Sequence, residues 1–154
     1  ESMKFTDFIS ATRVETKASY ENKRSVIKAL ARLLADGTGL DPEVFSDALG
    51  AREKLGSTAI GKGVAIPHAK LAELDQPVVA IILLQGELDF EAPDDEPVDI
   101  VFGIVTPPEA TDVQMIAQFA KYLRDPKFLN ALRSATTAQD VVDTLQRKCT
   151  LPPE

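Results

Sequence analysis

The chain has one cysteine, one histidine and no tryptophan in 154 residues. The shortage of cysteine and histidine removes two classes of site. Cys149 has no second thiol, so no intramolecular disulfide can form. One histidine beside one cysteine is too little for a Cys/His zinc site. Positive charge is short as well: 17 Lys and Arg stand against 24 Asp and Glu, a formal net charge of −7. A nucleic-acid binder needs a basic face for the phosphate backbone, and an anionic bilayer attracts basic segments. Neither partner fits this chain. No apolar run reaches the ~18 residues of a membrane-crossing helix. The N-terminus has no basic-then-apolar leader. The expectation is a cytoplasmic protein without membrane insertion, whose acidic surface suits a basic protein partner.

Repeats, low-complexity tracts and dividing linkers are missing too, and a chain of this length suits one core. The expected organisation is a single domain over 1–154. Glu1 and Ser2 precede Met3 and read as the remnant of an expression tag. Residues 4–21 form an N-terminal extension whose Phe5, Phe8 and Ile9 pack a strand or turn on the domain edge.

What is present is an alternation of apolar patterns. Residues 22–36 carry Val26, Ile27, Leu30, Leu33 and Leu34 at helical spacing and stop at Gly37. Asp41-Pro42 has the form of an N-cap with proline at the first helical position. Phe45, Ala48, Leu49 and Leu55 carry that helix toward Gly56. Val64-Ala65-Ile66 reads as a short strand ended by Pro67. Val78 to Leu84 and Val98 to Val105 are near-continuous apolar runs, the pattern of inner strands covered on both faces. Glu87 to Glu91 alternates, as a strand with one wet face would, and 92–97 is a loop. Three helices follow. The first is capped by Thr111 or Asp112 and carries Val113, Ile116, Phe119, Ala120 and Leu123. The second is opened by Asp125-Pro126. The third is opened by Thr137-Ala138-Gln139-Asp140, a capping box with Asp in place of Glu. These elements predict an α/β fold, a mixed β-sheet flanked by helices on both sides in a three-layer sandwich.

The chemistry concentrates in Leu49 to Lys70, LGAREKLGSTAIGKGVAIPHAK. Gly56, Gly61 and Lys62 have the spacing of a nucleotide P-loop. Gly63, however, stands where Ser or Thr would hold Mg²⁺, and the segment follows a helix and leads to a strand, the reverse of the P-loop order. A glycine turn that brings backbone close to a neighbouring element is the better reading. His68 follows Pro67, so the imidazole is expected just beyond a strand end, exposed on a rigid base. A lone histidine is more often structural or a plain surface group. Imidazole is nonetheless the side chain that ordinarily titrates near neutrality. Its neutral nitrogen is a nucleophile toward phosphorus and can later release the group. Such transfer needs cationic donors over the phosphoryl oxygens, which a guanidinium fork supplies bidentately. Arg52 is the candidate donor. The plainer alternative is a solvated helix residue paired to Glu53 or Asp47.

Arg52-Glu53, Leu55-Gly56-Ser57-Thr58, Ile60-Gly61 and Gly63 to His68 form a pattern that continues in Leu88-Asp89-Phe90, Asp94 and Pro97 to Phe102. Together they resemble the type-2 enzyme IIA domains of the phosphoenolpyruvate-dependent phosphotransferase system, over most of the chain. The resemblance implies the type-2 IIA sandwich, with His68 phosphorylated by a phosphocarrier protein of the HPr/NPr kind and Arg52 holding the group. It implies no metal and no other cofactor. Thr58 and Gln114 join as further candidate phosphoryl ligands. Gln114 stands where many members have a second histidine. An amide can donate a hydrogen bond to a phosphoryl oxygen but cannot titrate there. The stand-alone length and the Gly-Ser-Thr are similar to the nitrogen-regulatory branch, which implies a phosphorylation-dependent switch on a downstream protein. Two alternatives stay open: a fructose- or mannitol-type component passing phosphate to a separate IIB partner, and a docking regulator with little phosphotransfer. On the glycine-rich rim, Val64 and Ile66 are expected in the core and Ile60 on a contact surface.

Overall fold

The computed structural model describes residues 5–109 and 112–149. Two short 3-10 turns, Phe5–Phe8 and Ala11–Arg13, lead into strand β1, Val14–Ala18. Helices α1 (Lys23–Ala35) and α2 (Pro42–Lys54) follow, then strands β2 (Ala59–Gly61), β3 (Val64–Ala65) and β4 (His68–Lys70). The long strands β5 (Val78–Leu88) and β6 (Val98–Thr106) precede α3 (Asp112–Tyr122), α4 (Pro126–Arg133) and α5 (Ala138–Cys149). The strands make one six-stranded sheet in the order β1-β5-β6-β3-β2, with β4 also on β6. It is mixed. β5 pairs antiparallel with β6 and β2 with β3, while β1 runs parallel to β5, and β3 and β4 run parallel to β6.

Alternation along the central strands decides the layers. Ala80, Ile82, Val101 and Val105 pack with Leu30, Leu34, Phe45 and Leu49 of α1 and α2. Ile81, Leu83, Ile100, Phe102 and Ile104 point the other way, onto Phe119, Leu129, Leu132, Val141 and Leu145 of α3, α4 and α5. The observed architecture is thus the expected sheet with helices on both faces. Gly103 marks a close approach of α1, since a Cβ there would meet Leu30 Cδ2 at 2.6 Å.

Side chains fix the helix starts. Asn22 accepts from Ser25 N–H, Asp41 from Glu43 N–H and Asp125 from Lys127 N–H. Asp140 N–H donates to Thr137 Oγ1 at 3.0 Å and Thr137 N–H donates back to Asp140 Oδ2 at 3.2 Å, which closes the capping box. The alternative cap at Thr111 lies outside the described residues.

Two expectations change and one strand is added. No separate strand occupies 87–91: β5 runs on to Leu88 through a register shift after Leu83, and Asp89 to Glu91 leave the ladder. The alternation there belongs to the wet, irregular end of one long strand. Leu55, expected on the apolar side of α2, is instead its C-cap residue and is 84% exposed. Finally, β2 has no sequence signature, because Ala59-Ile60-Gly61 is too short to show a period. Among the described residues no helix is long and apolar enough to cross a membrane.

Candidate functional site

Proline decides where the imidazole stands. β3 and β4 lie along the same side of β6, and the break between them is Ile66-Pro67. Pro67 has no N–H to give the ladder. Its carbonyl still accepts from Ile104 N–H at 3.0 Å, so the chain holds its course and a strand resumes at His68. His68 therefore opens a strand, a correction to the expectation that it lies beyond the end of one. Its register partner is Ile104, whose side chain belongs to the α3–α5 face. Paired residues project to the same side of a sheet, so the half-buried imidazole shares that face.

Imidazole Nδ1 lies 2.7 Å from the carbonyl oxygen of Ile66. A carbonyl only accepts, so Nδ1 carries the hydrogen of the neutral ring and Nε2 carries the lone pair. Ile66 is itself held, since its N–H donates to Thr58 O at 2.9 Å. Thr58 is buried, and its N–H and hydroxyl both donate to the Glu53 carboxylate, at 2.9 and 2.6 Å. Glu53 Oε2 is paired with Lys23 Nζ at 2.8 Å, and these side chains are only 7% and 19% exposed. Lys23 reaches further to the Phe90 carbonyl, and its ammonium lies 5.4 Å from the Phe90 ring centre. A continuous chain of bonds thus runs from the start of α1, through the end of α2, to the imidazole.

Arg52 stands on the last turn of α2 and donates from Nη1 to Gly56 O at 2.9 Å. Glu53, its plainer partner from the sequence, is instead occupied by Lys23 and Thr58. The bond to Gly56 uses one of the five guanidinium N–H donors. Thr58 and His68 are brought together through Ile66 rather than around a shared ligand, because the Thr58 hydroxyl hydrogen is directed at Glu53. Gln114 belongs to α3, in the helix layer on the imidazole's face, and its side chain lies outside the described residues.

The stretch with P-loop spacing is a hairpin turn. Gly61, Lys62 and Gly63 have φ of 96°, 59° and 83°, a region where glycine is at ease and lysine is not. Bonds from both sides hold it. Lys62 N–H donates to Asp94 Oδ2 at 2.9 Å, and Arg133 Nη2 donates to Lys62 O at 2.8 Å while pairing with Asp99. The N–H groups of Lys62 and Glu96 hold the Asp94 carboxyl below the usual carboxylate range. Lys62 Nζ turns to the Arg124 carbonyl. On the rim Ile60 is exposed, while Val64 and Ile66 are in the core as expected. Among the described residues no three His, Cys, Asp or Glu side chains gather as a metal ion would require.

Glu53 is the residue that pattern reading undervalues. Its signal is its position: an acid in the last turn of a helix opposes the macrodipole and needs a compensating cation. That cation, Lys23, has no local sequence signature.

The description "Phosphoenolpyruvate-dependent sugar phosphotransferase system, EIIA 2" matches residues 7–148. A nitrogen regulatory protein of Bradyrhizobium diazoefficiens is 34% identical over 153 residues, 98% of this chain and 97% of that protein. Another, of Pseudomonas aeruginosa, is 37% identical over 121 residues, 77% of this chain and 79% of its own length. The crystal structure of the nitrogen regulatory protein IIA-Ntr from Neisseria meningitidis has a TM-score of 0.87 at 27% identity, covering 92% of this chain and 98% of that one. The chain belongs to the EIIA 2 family of the phosphoenolpyruvate-dependent sugar phosphotransferase system, and its relatives include nitrogen regulatory proteins.

Proposed function

We propose that this chain accepts a phosphoryl group on Nε2 of His68 from a phospho-histidine carrier of the HPr/NPr kind and serves as a nitrogen-regulatory switch. The observation that carries the reading is the 2.7 Å contact between His68 Nδ1 and the Ile66 carbonyl. It keeps the hydrogen on Nδ1, so the Nε2 lone pair is the nucleophile. In the transfer Nε2 bonds to phosphorus as the donor's phosphorus–nitrogen bond breaks, and the electron pair of that bond returns to the donor imidazole. His68 keeps its proton on Nδ1 throughout. The phosphorylated ring gains positive charge, and the Ile66 carbonyl dipole stabilises it.

Arg52 is the proposed clamp on the phosphoryl oxygens, where a planar fork of donors suits the charge. Gln114 is the proposed amide donor from α3, in place of a second imidazole. Phosphorylation adds roughly −1.5 to −2 charge to a chain already at −7. That change makes or breaks a protein contact, and Leu55 and Ile60 are exposed apolar side chains open to a partner. The kinship with nitrogen regulatory proteins favours this reading over passage of phosphate to a sugar-specific IIB partner.

Incubation with phosphoenolpyruvate, enzyme I and a phosphocarrier is expected to add the mass of one phosphoryl group, labile in acid. His68→Ala is expected to add none. Wild-type protein that gains no mass overturns the reading.

A further inference from the structure

We infer that Glu53 is a positioning residue for His68: held by Lys23, it fixes Thr58, and through Thr58 and the Ile66 peptide it sets the imidazole tautomer. The inference deepens the phosphoacceptor reading and depends on it only for the effect on transfer.

The bonds of Glu53 converge on one residue. One carboxylate oxygen takes the Thr58 N–H, the other takes the Thr58 hydroxyl, and Lys23 neutralises the charge. A carboxylate this buried is tolerated only when paired and hydrogen-bonded. Here that requirement pins residue 58 by both backbone and side chain. The third polar group of Thr58, its carbonyl, is then aimed at Ile66 N–H. Ile66 is followed by Pro67, whose ring fixes its own φ and leaves a gap in the ladder. The 66–67 segment is therefore held by two bonds, Ile66 N–H to Thr58 O and Ile104 N–H to Pro67 O. Between them the Ile66 carbonyl is left to face the imidazole. Loosening the first bond lets that carbonyl turn. An imidazole without a fixed acceptor at Nδ1 populates both neutral tautomers, and the Nε2–H form has no lone pair at the attacking nitrogen.

Nitrogen-15 NMR of the His68 ring, recorded where the imidazole is neutral, reads the tautomer with no phosphoryl donor present. Wild-type protein is expected to show Nδ1–H alone. Glu53→Gln and Thr58→Val are expected to show both tautomers. Both variants are expected to slow phosphoryl uptake roughly three- to tenfold, the effect of one weakened hydrogen bond. Thr58→Ser restores the hydroxyl and is expected to restore the wild-type tautomer. A folded Glu53→Gln variant with wild-type tautomer and rate overturns the inference. If that variant does not fold, Thr58→Val decides in the same way. Wild-type protein that shows Nδ1–H yet takes up no phosphoryl group overturns the functional reading and leaves the role of Glu53 standing.

Discussion

An imidazole can present either nitrogen, and at His68 the choice falls to a backbone oxygen two residues earlier. Arg52 faces a similar division, since its guanidinium bonds Gly56 and is proposed to meet a phosphoryl group as well. Lysine keeps the charge but cannot serve two acceptors in one plane. Arg52→Lys is therefore expected to slow phosphoryl transfer about 10- to 100-fold, the effect of losing a charge-assisted hydrogen bond. Rapid-quench kinetics on folded protein checks this, and a wild-type rate counts against the clamp. His68 and Arg52 stand out in the sequence as candidates because imidazole and guanidinium are the groups phosphoryl transfer needs. The Ile66 carbonyl was not legible, since a backbone acceptor has no letter of its own. Lys23 was not legible either, because only the packing of α1 beside α2 brings it to Glu53.

Where α1 crosses β6, Gly103 leaves room for Leu30. Gly103→Ala is expected to destabilise the fold by about 1–3 kcal/mol, the usual range for overpacking. Leu30→Ala alone is expected to cost about 2–5 kcal/mol. The double variant should cost less than their sum, because the new methyl fills part of the space Leu30 vacates. Urea denaturation of the three variants measures this, and strict additivity would show that the two sites do not meet. Elements with a cap or a long period were legible: Asp41, Asp125 and Thr137 announce their helices, the apolar spacing over 22–36 announces another, and the two apolar runs announce β5 and β6. Short elements stayed hidden. His68-Ala69-Lys70 shows no apolar period and becomes a strand because β6 offers it a partner beyond Pro67. The far end of β5 is polar, and it stays extended by pairing Leu88 with Val98 after the register shift.

Over the whole molecule, three aspartates tie peripheral parts together. Asp125 is held below the usual carboxylate range by the Lys148 ammonium first, and Asp140 by the Thr136 hydroxyl first. Asp94, held low by the Lys62 N–H, anchors the 61–63 turn. A lowered native value means each group stabilises the fold above the unfolded carboxyl value of 3.8. That contribution fades as pH falls from there through the lower native value. Hydrogen exchange during acidification is expected to show the α4–α5 pair and the 61–63 turn opening before the β5–β6 ladder. A simultaneous loss would count against these anchors. The sheet borders have a different consequence. β1 is five residues long, with Lys17 at φ 54° and a register shift between Glu15 and Ala18. At the opposite side β2 and β4 are three residues each. A stray strand from another molecule finds no long, flat row of N–H and C=O groups to zip onto. The protein should therefore stay dispersed at concentrations where straight-edged sheets grow into fibres.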